Sequence, residues 1–228
     1  MEKEKNNNPE EVLEKEHAKH IKYISPLRIS RIVSEFIEGF NFLNRYDKTV
    51  TFFGSSRVKP SHKYYKEAFL LSRELSKRGY TIVTGAGLGI MEAANKGAHE
   101  AGGESLGMNI NLPKEQGINK YVKQSVSFRY FFIRKVMLTF ASQAYIFFPG
   151  GFGTLDEFFE VVTLIQTGKV KNIPIILLHK SYWEPLLSFI DEIIYKRNRS
   201  IDKKDTKIYH LAKDTKEALT FLEKHYAQ

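Results

Sequence analysis

The chain has 228 residues, and a hydrophobic content of 42% allows one sizeable core, which favours a single domain with an additional segment. It contains no cysteine, so disulfides, thiolate metal sites and thiol nucleophiles are excluded, and a reducing, cytoplasmic location is expected. The net charge of +9 indicates a solvated basic surface or an anionic partner, and because basic residues are spread along the chain, a small phosphorylated ligand is favoured over nucleic acid.

The N-terminal region divides into two parts. Residues 1–28 are rich in charged residues and asparagine, which predicts a charged tail, either frayed or a solvated helix. Over 30–45 apolar residues recur at helical spacing, which predicts an amphipathic helix that packs on the domain or across a dimer. The charged N-terminus is unlike a signal peptide and apolar runs such as 144–148 are too short to cross a bilayer, so no membrane association is expected.

The remainder alternates short β-rich runs with longer helical patterns. Predicted strands cover 50–53, 80–84, 105–110, 144–148 and 174–178, with a late edge strand at 207–212. Predicted helices cover 64–78, 89–101, 131–141, 155–166, 185–195 and 216–225. Strands that are apolar on both faces and separated by helices predict an α/β fold: a doubly wound, Rossmann-like parallel sheet with helices on both faces. We therefore expect one nucleotide-binding domain over 29–228 that includes the N-terminal helix.

Three Gly-rich loops follow predicted strands. They are Gly54-Ser55-Ser56-Arg57, then Gly85-Ala86-Gly87-Leu88-Gly89 before a helix with Met91 and Glu92, and Pro149-Gly150-Gly151-Phe152-Gly153-Thr154. Glycine lets backbone N–H groups approach an anion closely, and a following helix N-terminus adds unpaired N–H groups and a positive dipole. One such loop alone can be a structural turn, but three at one sheet edge predict a phosphate site. The second loop lacks the G-x-G-x-x-G spacing, which disfavours a dinucleotide.

Carboxylates follow the third loop. Asp156 and Glu157 are predicted in the first turn of a helix, and Glu160 lies one turn beyond Glu157 on the same face. Such acids can satisfy the helix macrodipole. Alternatively, a carboxylate beside a bound sugar can stabilise an oxocarbenium-like transition state or activate water.

The preceding predicted helix carries Arg129, Arg134 and Lys135 in an otherwise apolar run. These cations either face solvent or bind the ligand, and Arg134 is the stronger candidate because a guanidinium can bind phosphate or carboxylate bidentately. The seven histidines share no ligand spacing, so no metal is expected. Tyr182 and Trp183 are interpreted as core or interface aromatics.

Several ordered motifs resemble one known family. PGGFGTLDE at 149–157 matches the PGGxGTxxE signature of the LONELY GUY family, the cytokinin-activating phosphoribohydrolases formerly labelled lysine decarboxylases. The resemblance extends over roughly 50–190 and includes Arg134-Lys135, GSS after strand one, TGAGLGIMEAANKGA at 84–98 and LPKE at 112–115. It implies a Rossmann-like enzyme, a homodimer or higher homo-oligomer, that hydrolyses the N-glycosidic bond of nucleoside 5'-monophosphates. AMP or a cytokinin riboside monophosphate would give free base and ribose 5-phosphate.

By this resemblance Arg134 and Glu157 are catalytic, and no cofactor is required. Together with the loops, the candidate substrate-binding residues are Gly54, Ser55, Ser56, Gly85, Gly87, Gly89, Met91, Glu92, Glu115, Lys135, Gly150, Gly151, Gly153, Thr154, Glu160 and Thr163. The lysine decarboxylase label is disfavoured because pyridoxal phosphate needs a Schiff-base lysine, and no lysine has a recognisable context for one.

The chain also departs from the family pattern. Plant members have a Met-His pair ahead of the Arg-Lys, where this chain has Phe131-Phe132-Ile133, which predicts a different pocket around the base. Ala86 and Leu88 stand where related bacterial sequences often have Gly and Pro. The alternative hypothesis is therefore a non-catalytic nucleotide-binding or sensing protein on the same fold. A nucleic-acid protein would rest on net charge alone.

Overall fold

The computed structural model describes residues 26–111, 117–171 and 173–226. Its strands are β1 (Thr49–Phe53), β2 (Thr81–Thr84), β3 (Ser105–Ile110), β4 (Gln124–Phe128), β5 (Ala144–Phe147), β6 (Ile175–Leu178) and β7 (Tyr209–Ala212). Its helices are α1 (Pro26–Leu43), α2 (Lys63–Lys77), α3 (Ile90–Glu100), α4 (Phe131–Phe140), α5 (Phe152–Gln166), α6 (Lys180–Phe189) and α7 (Thr215–Tyr226). A π-helical segment, Ile190–Arg197, continues α6, and a 3₁₀ turn covers Asp205–Lys207.

The strands form one seven-stranded sheet in the order β4-β3-β2-β1-β5-β6-β7, and every neighbouring pair is parallel. Strand β1 lies at the centre of the sheet. Strands β2, β3 and β4 follow outward on one side of it, and β5, β6 and β7 follow outward on the other side. This arrangement confirms the predicted doubly wound α/β fold. The order reverses between β1 and β5, and ligands of such sheets bind beyond the carboxyl ends of the strands at that reversal.

Two apolar clusters cover the two faces of the sheet. Because successive strand residues point to opposite faces, Phe52 and Phe53 of β1 enter different clusters. Phe53 packs with apolar residues of α1, α4, α5 and α6, such as Phe158. Phe52 packs with residues of α2, α3 and α7, such as Leu71 and Leu222. Helices therefore lie on both faces, as the sequence predicted.

One strand was missing from the sequence-based expectation. Strand β4 is an edge strand in which only Val126 and Phe128 are buried, so its alternating pattern is short and mostly polar. The assignment of Arg129 to a helix was wrong, because α4 begins at Phe131 and Arg129 lies in the bend before it. The late strand predicted at 207–212 is present as β7, on the opposite edge.

Helix α1 packs on the domain against α4. It begins at Pro26, four residues before the predicted start, and ends at Leu43, two before the predicted end. A Cβ at Gly39 would lie only 2.6 Å from the sulfur of Met137, so glycine allows the two helices to approach closely. The predicted tail, apart from residues 26–28, lies outside the described residues.

Candidate active site

A cleft of about 1250 Å³ opens at the carboxyl ends of β1, β2 and β5. Its walls are the loops after β1 and β5, the start of α2 and one side of α4. It brings together many of the residues that the sequence singled out: Gly54, Ser55, Ser56, Gly85, Met91, Arg134, Gly150, Gly151, Gly153, Thr154 and Glu157.

The first Gly-rich loop contacts both of the others through backbone hydrogen bonds. The Ile90 N–H donates to the Ser55 carbonyl at 3.1 Å, and the Ser55 N–H donates to the Pro149 carbonyl at 3.1 Å. Gly89 has a φ of 66°, and a Cβ there would lie 2.3 Å from the Ser55 carbonyl oxygen. Glycine at position 89 therefore allows the second loop to approach the first one closely. Gly89 itself does not line the cleft.

The second loop is also held by a buried polar network. Ala86 adopts a left-handed φ of 65°, the conformation that glycine adopts most easily. The Asn119 amide donates to the carbonyls of Ala86 and Gly87 at 3.1 and 2.9 Å, and to the Asn95 side-chain oxygen at 2.9 Å. The alanine in place of glycine is thus accommodated, and the loop keeps a defined path.

The third loop presents a free helix N-terminus to the cleft. Helix α5 begins at Phe152, with Gly151 as its N-cap residue, so the N–H groups of Phe152 and Gly153 have no intrahelical partner, whereas the Thr154 N–H donates to the Gly151 carbonyl at 3.0 Å. Gly150 is required because a Cβ would lie 2.0 Å from the Thr154 hydroxyl oxygen. A Cβ at Gly151 or Gly153 would meet nothing within 4 Å, so this side of the loop is open to an anion.

The carboxylates after this loop do not serve the helix macrodipole. Because α5 begins at Phe152 and not at Leu155 as predicted, Asp156 and Glu157 lie in its second turn, and the first turn contains no acid. The placement of these acids in a first turn was wrong. Glu157 is buried, with 5% of its surface exposed, and its Oε2 has no hydrogen-bond partner among the described residues.

Burial without a full set of partners changes the acidity of Glu157. Desolvation and, secondarily, the nearby Glu160 raise the pKa of Glu157 from its ordinary value of 4.5 to about 7, although Arg134 and Lys135 oppose the shift. A carboxyl group with a pKa near 7 in a cleft can exchange a proton at neutral pH, a property typical of functional carboxylates.

Arg134 lies across the cleft on α4. Its Nε donates to the Met108 carbonyl at 2.8 Å, which fixes the guanidinium plane. A Cβ at Gly85 would lie 2.0 Å from the Arg134 Nη2, so Gly85 makes the space that the guanidinium occupies. Desolvation lowers the pKa of Arg134, and Glu157 partly offsets that effect. The guanidinium also lies 6.0 Å from the ring centroid of Phe131.

Lys135 and Glu160 form an ion-pair network beside the cleft. The Lys135 ammonium lies 2.8 Å from an Asp156 oxygen and 3.0 Å from a Glu160 oxygen. Desolvation lowers the pKa of Lys135, but the hydrogen bonds that its ammonium donates to these two carboxylates raise it overall. Other predicted residues that do not line the cleft are Gly87, Gly89, Glu92 and Thr163. Glu115 and the rest of LPKE lie outside the described residues.

Aromatic side chains also line the cleft. Tyr182, interpreted as a core or interface aromatic, packs against the core and also lines the cleft, where its hydroxyl donates to the Gly150 carbonyl at 2.8 Å. Its neighbour Trp183 is fully buried, as predicted. Phe131 and Phe152 line the cleft and are 50% and 93% exposed. Their exposure was not readable from hydrophobic periodicity.

The fold and the cleft define a Rossmann-like α/β protein with a Gly-rich loop and an open helix N-terminus at the point where strand order reverses. Residues 91–222 match the model of a family described as "Possible lysine decarboxylase". Over 157 residues the chain is 32% identical to a "Probable cytokinin riboside 5'-monophosphate phosphoribohydrolase" of Oryza sativa subsp. japonica, covering 67% of this chain and 63% of the relative. Over 155 residues it is 32% identical to a cytokinin riboside 5'-monophosphate phosphoribohydrolase of Arabidopsis thaliana, covering 66% and 71%.

The chain therefore belongs to the LONELY GUY family. It spans 63% and 62% of the length of two of the rice relatives. Among solved structures, a structural-genomics target superposes with a TM-score of 0.61 and 25% identity, over 78% of this chain and 99% of that one. A molybdenum cofactor carrier protein of Chlamydomonas reinhardtii has a TM-score of 0.59 and 21% identity, over 80% and 100%, and shares the fold.

Proposed function

We propose that the chain is a nucleoside 5'-monophosphate phosphoribohydrolase that cleaves the N-glycosidic bond of AMP or of a cytokinin riboside monophosphate. The observation that carries the proposal is the Glu157 carboxyl group, buried and incompletely hydrogen-bonded in the same cleft as the open helix N-terminus at Gly151. The names of the rice and Arabidopsis relatives support the same reaction.

Substrate binding would begin at the third loop. A phosphate dianion suits the N–H groups of Gly151, Phe152 and Gly153, because α5 leaves them without intrahelical partners and its dipole favours negative charge. Binding energy from this non-reacting phosphate can be used to hold the ribose against the catalytic groups.

Glu157 and Arg134 would act on the ribose. As the C1'–N bond breaks, its electron pair leaves with the base and positive charge develops on the ribose, where the ionised carboxylate of Glu157 stabilises it. Water then adds its oxygen to C1', and the proton that it loses balances the negative charge of the departing base. Arg134 favours the ionised form of Glu157 through its charge and can donate hydrogen bonds to the substrate.

Lys135, the lysine next to Arg134, is unsuited to a Schiff base and gives no support to the family description as a decarboxylase. A Schiff-base lysine must lose its proton, but Asp156 and Glu160 hold the ammonium at 2.8 and 3.0 Å and raise its pKa. The alternative of a non-catalytic nucleotide sensor is disfavoured by the relatives, which are named as hydrolases.

Chromatography of free base tests the proposal. Wild type is incubated with AMP, a panel of other nucleoside monophosphates and N6-prenyl-AMP, beside Glu157→Gln and a control, Glu184→Gln. Glu184 is an exposed carboxylate paired with Lys180. We expect base release by wild type and by the control, and a loss of at least about 100-fold in Glu157→Gln. A wild type that binds nucleotide but releases no base would overturn the hydrolase in favour of a sensor.

Two further properties belong to the same proposal. We propose a homodimer or higher homo-oligomer, supported by the resemblance to the family and by the exposed apolar side of α1, which includes Val33 and Ile37. We also propose the cytoplasm as its location, since a nucleotide dianion does not cross a bilayer unaided and is therefore available inside the cell.

A further inference from the structure

The hydroxyl of Tyr182 connects two loops at the carboxyl edge of the sheet. Strands β5 and β6 are parallel neighbours, so the chain leaving each of them enters the same region. After β6 the backbone turns at His179, and the Tyr182 N–H donates to the His179 carbonyl at 3.0 Å. The Tyr182 hydroxyl then donates to the carbonyl of Gly150, in the loop after β5, at 2.8 Å.

The ring of Tyr182 is held in place by packing against buried aromatic residues. It packs edge-on against Trp183, with ring centroids 5.0 Å apart at 87°. Trp183 is itself fully buried and contacts Phe147 and Phe158, at 6.4 and 5.3 Å between centroids. The hydroxyl therefore has a fixed position relative to the sheet and to α5.

Fixing the Gly150 carbonyl also fixes the next N–H group. The peptide group is planar and trans, so the Gly151 N–H points opposite to the Gly150 carbonyl and therefore away from Tyr182. Two consecutive glycines leave the Gly150–Gly151 peptide free to rotate, since neither residue has a Cβ to restrict it. A hydrogen bond from a rigid side chain removes that freedom.

We propose that Tyr182 is a positioning residue that holds the Gly150–Gly151 peptide in the orientation in which the Gly151 N–H binds the substrate phosphate. The inference rests on the proposed function, which assigns the phosphate to this loop. Tyr182 itself acts through Gly151, and its loss weakens binding of the phosphate without altering binding of the base or the ribose.

The test compares Tyr182→Phe with Tyr226→Phe. The Tyr226 hydroxyl also donates to a backbone carbonyl, that of Gln143, but it lies on α7 and does not line the cleft. Calorimetry measures binding of ribose 5-phosphate, which has the phosphate and no base, and of adenosine, which has the base and no phosphate. We expect Tyr182→Phe to weaken ribose 5-phosphate by about threefold to tenfold, the worth of one hydrogen bond, and to leave adenosine unchanged. Tyr226→Phe should change neither.

A spectroscopic signal separates positioning from general damage. In ¹⁵N-glycine-labelled protein, the Gly151 amide resonance should shift on addition of ribose 5-phosphate to wild type and to Tyr226→Phe, and respond much less in Tyr182→Phe. Equal weakening of both ligands, an unchanged ribose 5-phosphate affinity, or a Gly151 amide that does not respond in wild type would each overturn the inference.

Failure of the role inferred for Tyr182 can be distinguished from failure of the proposed hydrolase function. If wild type releases base while Tyr182→Phe binds ribose 5-phosphate as well as wild type does, the hydrolase stands and the role of Tyr182 falls. A phosphate-selective loss in a chain that never releases base would support the role of Tyr182 and overturn the hydrolase.

Discussion

The ionised Glu157 side chain destabilises the folded chain. Ionising a carboxyl group that is 5% exposed, with an oxygen that lacks a hydrogen-bond partner, costs free energy that an exposed carboxylate does not incur. The neighbouring Asp156 is half exposed, and both Asp156 and Glu160 pair with Lys135, whereas Glu157 has no comparably close cation among the described residues. A residue that destabilises the fold yet lines the cleft is best explained by function.

Because ionisation of Glu157 destabilises the fold, the free energy of unfolding should depend on pH. Its pKa in the folded chain is raised from 4.5 to about 7, so its contribution is fully present below pH 4.5 and is lost as pH rises through 7. The shift corresponds to about 3 kcal/mol, an upper figure. Because glutamine does not ionise, Glu157→Gln should have a free energy of unfolding higher than wild type by up to about 3 kcal/mol at pH 8, shrinking toward zero at pH 4.

Urea unfolding at pH 4, 6 and 8 measures this difference. The exposed control Glu184→Gln, which disrupts only a surface pair, should change the free energy of unfolding by less than about 1 kcal/mol throughout. A Glu157→Gln variant that is less stable than wild type at pH 8 would contradict the raised pKa of Glu157.

At the scale of elements, α1 holds the helix that carries Arg134. The Glu35 carboxylate accepts hydrogen bonds from the backbone N–H groups of Arg129 and Tyr130, at 3.1 to 3.3 Å, just ahead of α4. A carboxylate at that end also favours the α4 dipole. We expect Glu35→Ala to lower the free energy of unfolding by about 1 kcal/mol, by analogy with the loss of a helix cap.

Glu38 provides the matched control for Glu35. It lies on the same helix and lines a separate groove beside β4. Thermal unfolding of the two alanine variants should show a midpoint about 2 to 4 °C lower for Glu35→Ala alone. Equal midpoints would mean that water replaces the Glu35 carboxylate without loss.

Substitution of glycine by alanine should have opposite effects on stability at two positions of the Gly-rich loops. Gly89→Ala places a Cβ 2.3 Å from the Ser55 carbonyl at a φ of 66°, so we expect it to destabilise the fold by about 1 to 3 kcal/mol. At Gly153 a Cβ meets nothing within 4 Å, so Gly153→Ala should leave stability unchanged or raise it, yet weaken AMP binding by filling the anion site. Unfolding midpoints and AMP calorimetry measure both effects. Unaltered AMP binding by Gly153→Ala would contradict the placement of the phosphate.

The elements that the sequence predicted correctly are those with strong local patterns. The apolar runs at β1 and β5 are buried on both faces, and that pattern identified them. Strand β4 was missed because an edge strand with two buried residues has almost no such pattern. The start of α5 was placed three residues late because its first turn is Phe-Gly-Thr, whose helical conformation is set by the site and not by propensity.

For the molecule as a whole, the sequence identified the cleft because parallel topology forces the loops after β1, β2 and β5 to one edge. What it did not predict depends on contacts between residues far apart in the chain. The bond from Tyr182 to Gly150, the approach of Gly89 to Ser55, and the burial of Glu157 all arise from tertiary packing. No local pattern records such contacts.

The exposed apolar residues of α1 indicate where two copies of the chain would contact each other in a dimer. Phe36 and Gly39 of α1 pack on α4, but Val33 and Ile37, on the adjoining part of the same apolar side, are 50% and 57% exposed. The apolar side of α1 is therefore wider than its contact with α4, and the uncovered part indicates another buried contact. We propose that a second copy of the chain covers it, continuing onto Phe140, which is 58% exposed.

Sedimentation of wild type and Ile37→Glu tests this arrangement. We expect a wild-type dimer at micromolar concentration, and a dissociation constant raised at least about 100-fold in Ile37→Glu, because a buried unpaired charge costs several kcal/mol. The control is Leu70→Glu, which places the same charge at a 41% exposed apolar residue of α2, away from α1. If the control dissociates the dimer as strongly, the contact lies elsewhere. A wild type that sediments only as a monomer removes the dimer altogether, and the exposed side of α1 then needs a different partner.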